Sequence, residues 1–234
     1  MSDPVYILNA TDMEQSRTPC ELSDWVDAKA AEFSSTQEAK EHARSGARLP
    51  KKLWEEIRPM ALFARCRYGD NGVRCTPSLS NDNYDGKIDF SEPGATPVYV
   101  EITYAKDGHD ERRRLKVLSE SGSVNALGKI TVSGTKKSGQ TVCVENEAVD
   151  HTEVRDTALH LVAERLRGKS NKDYGKNHIL VVVVDDYLPF RTDEDKAILM
   201  TRIRDELPKL RMNVGAVYVL GSSGAYCERA AGEI

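Results

Sequence analysis

No run of about 18 apolar residues occurs in this chain of 234 residues, so no membrane span is expected. Its opening, "MSDPVYILNATDMEQ", has neither a basic segment nor an apolar one, and no secretory signal is expected. The five cysteines (Cys20, Cys66, Cys75, Cys143, Cys227) are scattered and form no CxxC pair and no zinc spacing. That predicts reduced thiols and a cytoplasmic protein. His42, His109, His160 and His178 show no metal-ligand spacing, and His151 reads as a satisfied, half-buried histidine. There is no GxSxG elbow, and "LGSSG" (220–224) lacks the lysine of a phosphate-binding loop. No internal repeat or long low-complexity segment is present. A net charge of −4 gives no overall pull toward nucleic acid, although a local basic cleft depends on distribution.

What is present is an ordinary globular composition, 39% hydrophobic and 30% charged, long enough to bury a core. Residues 21–68 read as helical. Ser23 is the expected first cap, Gly46 ends a charged helix, Pro50 starts another, and Pro59 kinks or divides it. Strands are expected at 73–79, 86–90, 97–104, 128–133 and 141–145, between turn-rich segments. A long amphipathic helix follows over 147–172. Then come a fully apolar strand, "HILVVVVDDY", a helix capped by Thr192 and Asp195, and a second apolar strand, "VGAVYVLGSSG". The order predicts an α/β domain over 49–234, a mixed central sheet flanked by helices, after an N-terminal helical region over 1–48.

The acidic residues of "YDGKIDFSEPGATPVYVEITYA" (84–105) need a reason to lie in apolar strands. Period-two alternation puts Asp85, Lys87 and Asp89 on one face of the first strand, and Glu101 and Thr103 on one face of the next. In a hairpin Asp89 and Glu101 can then face the same way, and Asp85 is the turn residue before Gly86. Two carboxylates brought close repel unless a cation lies between them, and oxygen ligands suit Mg²⁺ or Mn²⁺.

"GKIDF", a gap, and "VYVEIT", after a helix with Glu55 and Glu56, resemble the PD-(D/E)XK nuclease superfamily. The resemblance covers roughly residues 50–185. It implies a restriction-endonuclease-like fold that cleaves DNA phosphodiester bonds with Mg²⁺ or Mn²⁺. Asp89 and Glu101 would be the ligands, with the Ile102 carbonyl and Glu55 or Glu56 as further ones. It also implies a homodimer. The family's lysine position is Thr103 here. On the 147–172 helix, Lys169 projects near the centre of an apolar arc and Lys172 toward its edge, so either is the expected substitute. Lys136, Lys137, Arg112 and Arg113 are the expected phosphate-backbone contacts, against a solvated charged face, the reading slightly preferred for the two arginines. The rival function is a catalytically inactive binding or assembly module on the same fold, favoured by the missing strand lysine.

Overall fold

Residues 179–184, "ILVVVV", are buried to within 1% of complete exclusion from solvent and form the middle of a six-stranded sheet. A computed structural model describes residues 7–45, 47–135 and 139–232. Its sheet runs β1 (Val73–Pro77), β2 (Gly86–Phe90), β3 (Val98–Tyr104), β6 (Asp173–Val184), β7 (Asn213–Gly221), β8 (Cys227–Gly232). The hairpin strands β1, β2 and β3 are antiparallel. β3, β6 and β7 are parallel, and β8 returns antiparallel at the edge. This is an α/β protein with a mixed central sheet.

Alternation splits β6 between two apolar clusters. Ile179, Val181 and Val183 face α1 (Ala10–Met13), α2 (Pro19–Ser34), α3 (Gln37–Arg44), α4 (Arg48–Lys52) and α5 (Arg58–Tyr68). Leu180, Val182 and Val184 face α7 (His151–Ser170) and α8 (Asp193–Glu206). A strand covered on both faces has no polar position to alternate with, hence the continuous apolar run. The N-terminal helices share the first cluster with the sheet: Leu22, Val26, Phe33 and Ala39 belong to it together with Ile102 and Tyr218.

Between β3 and α7 the chain leaves the sheet. It forms α6 (Gly108–Ser121), which has no buried residue, and a separate two-stranded sheet of β4 (Ile130–Thr135) and β5 (Gly139–Val144). The strands expected at 128–133 and 141–145 are thus real but lie outside the central sheet.

Local chemistry explains most boundaries. The capping box on α2 uses Thr18 and Glu21 rather than Ser23, because Pro19 opens the helix and Ser23 is already buried inside it. Thr192 and Asp195 form the expected box on α8. Pro59 has no N–H to offer the Glu55 carbonyl. The turn before it widens, so that Arg58 N–H donates to the Leu53 carbonyl across a π-helical turn, Leu53–Ile57. Gly46, Lys136 and Lys137 fall outside the described residues. Among the described residues, no helix is long and apolar enough to cross a membrane.

Candidate functional site

Glu101 is charged yet only 6% exposed, in the middle of β3. Its neighbours Val100 and Ile102 enter the first apolar cluster, so Glu101 and the buried Thr103 point to the other face. There Lys169 Nζ donates to Glu101 Oε1, Tyr174 Oη donates to the same oxygen at 3.2 Å, and Lys172 Nζ stands 3.7 Å away. Lys169 reaches the site because α7 buries Val162 and Leu166, and a residue three further on continues that row. The two lysines expected from the helix pattern are therefore both beside Glu101. Burial and the Glu101 carboxylate push the Tyr174 phenol above its ordinary value, which keeps it a donor.

Asp85 is the third member. β2 pairs with β3 as Ile88 with Val98, Lys87 with Tyr99, and Gly86 with Val100, and there the ladder ends. Past that point Ile102 N–H faces no β2 partner. Asp85 supplies one: its Oδ2 accepts from Ile102 N–H at 2.7 Å, and its own N–H donates to the Val100 carbonyl at 2.8 Å. Burial, then the Glu56 carboxylate, then Glu101 raise the Asp85 carboxyl to about 7, against the lowering effect of the Ile102 hydrogen bond. Glu56 comes from the π-helical turn, whose extra residue per turn resets the direction of its side chains. Lys52 Nζ lies 2.5 Å from Glu56 Oε2 as an ion pair, yet that oxygen is buried and receives no hydrogen bond.

The remaining expected residues lie elsewhere. Asp89 does not meet Glu101: it pairs in register with Arg74 on β1, and its side chain, 41% exposed, forms an ion pair with Lys87 at 3.0 Å. Register is the reason, since β2 meets β3 at its Gly86 end near Glu101. Glu55 turns outward to Lys106 at 3.3 Å and Lys51 at 3.8 Å. The Ile102 side chain belongs to the opposite cluster, and its N–H is the group Asp85 holds. Arg112 donates to the Gly108 carbonyl and Arg113 pairs with Asp110, so both are tied to their own helix. Lys136 and Lys137 lie outside the described residues.

Sequence reasoning missed Asp85 and Tyr174. For Asp85 the deciding fact is the strand register, which the sequence does not carry. Continuing the pairing of Gly86 with Val100 by one residue brings Asp85, not Asp89, toward Glu101. Tyr174 carried no signal, because it sits at the start of β6, where the pairing with β7 shifts register between Asp173 and Gly175.

Among the described residues, no three His, Cys, Asp or Glu side chains are gathered closely enough to hold a metal ion as they stand. Glu101 is engaged with ammonium groups instead. No family model matches the chain, and no curated protein or solved structure matches it.

Proposed function

We propose that this chain is a metal-dependent nuclease of the PD-(D/E)XK, restriction-endonuclease-like kind that hydrolyses DNA phosphodiester bonds. The observation that carries the reading is the adjacency, where β2 leaves β3, of Asp85, Glu101 and Lys169, with Glu56 raising the Asp85 carboxyl. In chain order they run helical acid, aspartate, strand glutamate, helix lysine, with Asp85 standing in for Asp89, the aspartate that the resemblance implied.

Mg²⁺ or Mn²⁺ fits this site by donor chemistry. Asp85 and Glu101, with Glu56 beside them, offer only carboxylate oxygens, which hard divalent cations prefer. Burial raises the Asp85 carboxyl most, and the Glu56 and Glu101 carboxylates add a repulsion that a cation would relieve. Glu56 Oε2 is buried without a hydrogen bond. The fit is in donor type and charge, not in a finished cage. When bound, such an ion supplies Lewis acidity and a more acidic water.

The chain's own groups have definable tasks. Lys169, on α7 rather than on β3, holds a positive charge against Glu101 and would neutralise charge gained by a phosphate oxygen bound there during in-line attack. Lys172 adds a second, more exposed cation. Tyr174 fixes the Glu101 carboxylate by donating to it. Thr103, buried at the vacated lysine position, leaves room for the ammonium arriving from the helix.

The test is cleavage of supercoiled, linear and single-stranded DNA with Mg²⁺ or Mn²⁺, comparing wild type with Glu101→Gln. Metal-dependent cleavage lost in Glu101→Gln supports the reading, and cleavage unchanged by that substitution sinks the site. The second reading, an inactive binding module, is favoured by the neutralisation of Glu101 by Lys169 and the lack of a ready three-acid cluster among the described residues. It predicts a folded protein whose melting temperature ignores Mg²⁺ and Mn²⁺.

A further inference from the structure

We propose that the sheet face beside Glu101 is a base-stacking platform for single-stranded DNA, an inference that rests on the nuclease reading and names its substrate class. Lys87, Tyr99 and His178 stand side by side on β2, β3 and β6, paired Lys87 with Tyr99 and Tyr99 with His178. Tyr99 precedes Glu101 by two residues, so it shares the Glu101 face one pleat away, about 6.6 Å along the strand. That is within one nucleotide's length of the carboxylate.

The rings form a continuous surface. Tyr84 lies 4.6 Å from Tyr99 between centroids, and Tyr99 lies 5.0 Å from His178 with 28° between planes. Tyr174, the residue that donates to Glu101, is 5.8 Å from His178 and joins the platform to the site. Tyr84, Tyr99 and His178 are each only half-buried, whereas the next β6 residues on both faces are aliphatic and fully buried. Tyr99 and His178 stack on each other and His178 Nδ1 is buried, so the surface left for a base is the partly exposed outer side of this ring run at the mouth of the site. Burial holds the His178 imidazole below its ordinary value, so at neutral pH it is a flat neutral ring.

Charge selects the occupant. Lys87, ion-paired with Asp89 at 3.0 Å, flanks the rings on one side. On the other, Lys172 Nζ lies 5.8 Å from the Tyr174 ring centre and 3.7 Å from Glu101. Ammonium groups beside rings suit a phosphate backbone whose bases present open faces. In a duplex those faces are covered by neighbouring bases, so an unpaired nucleotide is the ligand that uses both features.

The experiment is fluorescence anisotropy in EDTA with three probes of equal length: an oligothymidylate, an abasic strand of the same backbone, and a duplex. Wild type is expected to bind oligothymidylate about tenfold tighter than the abasic strand, the scale of stacking one base. Tyr99→Leu should erase that preference and Tyr99→Phe keep it. Tyr84→Leu serves as the second variant should Tyr99→Leu melt below assay temperature. Equal binding of oligothymidylate and abasic strand by wild type would overturn the platform, as would a preference for the duplex. So would an unchanged preference in both leucine variants. Glu101→Gln should retain the preference. A preserved preference in a wild type that fails to cut with Mg²⁺ or Mn²⁺ supports the platform while removing the nuclease reading, so the two failures are distinct.

Discussion

The two ends of β2 put like residues in unlike surroundings. At its start Asp85 is enclosed beside Glu56 and Glu101 and holds a main-chain N–H of β3. At its far end Asp89 lies over the Arg74 pair of β1, open to water and paired with Lys87. Both aspartates project from the same face by alternation. The difference is made by what the neighbouring strand does. β3 carries Glu101 past the Gly86 end, while the Phe90 end runs out toward a loop. A carboxylate acquires chemistry when burial and like charges raise its energy, and Asp89 meets neither condition.

Catalysis is the sharpest way to break this comparison. Asp85→Asn is expected to lower metal-dependent cleavage by at least about a hundredfold, and Asp89→Asn to leave it within about twofold. Plasmid nicking rates measure both, and a larger loss in Asp89→Asn would reverse the assignment.

Stability gives the next effect. Lys169→Met strips Glu101 of its nearest cation while Tyr174 and Lys172 remain, so a loss of about 2–3 kcal/mol in urea unfolding is expected. The equivalent loss from Lys172→Ala should be much smaller, since its ammonium is half exposed at 3.7 Å.

A pH series in EDTA isolates Asp85 itself. Its folded value, about 7, lies above the ordinary 3.8. Between those values the folded state binds more protons than the unfolded one, so wild-type stability from this group falls as pH rises toward 7 and is flat above it. Asp85→Asn cannot ionise and its amide oxygen can still accept from Ile102 N–H. The variant should therefore match wild type near pH 4 and exceed it at pH 8 by up to about 4 kcal/mol. A gap that widens toward acid would contradict the buried, repelled carboxyl. Mg²⁺ added at pH 8 should raise the wild-type melting temperature and leave that of Asp85→Asn unmoved.

The smallest effects concern how β2 is seated. A methyl on Gly86 would stand 2.3 Å from the buried Met60 sulfur and 3.2 Å from the Thr76 carbonyl. Gly86→Ala is therefore expected to cost about 1–2 kcal/mol by chemical denaturation. Asp89→Asn should change stability by no more than about 0.5 kcal/mol.

The strands were legible where their apolar runs met clear turns. The expected 86–90 is β2 itself, and 97–104 overshoots β3 by one residue. The pairing of the Glu101 strand with a lysine from the following helix was also legible, because helical spacing fixes which way Lys169 points. Asp85 was not, since an aspartate before glycine has two physical uses. One is to shape a turn. The other is to satisfy a backbone group that a departing strand abandons, and only the register of a neighbouring strand separates them. The outward turn of Glu55 and the approach of Glu56 depended on a π-helical turn forced by Pro59, which a pattern of 3.6 residues per turn does not anticipate.

The excursion between β3 and α7 has a consequence of its own. Among the described residues from 106 to 150, none belongs to either apolar cluster. The chain leaves at Lys106, held by Glu55 and by Arg165, and returns at His151, where α7 begins and the imidazole meets Asp195 of α8. Such a segment is a replaceable port on a fixed chassis. Substitutions in it escape the packing constraint that governs residues 179–184, so the surface of this segment can change while the sheet stays as it is.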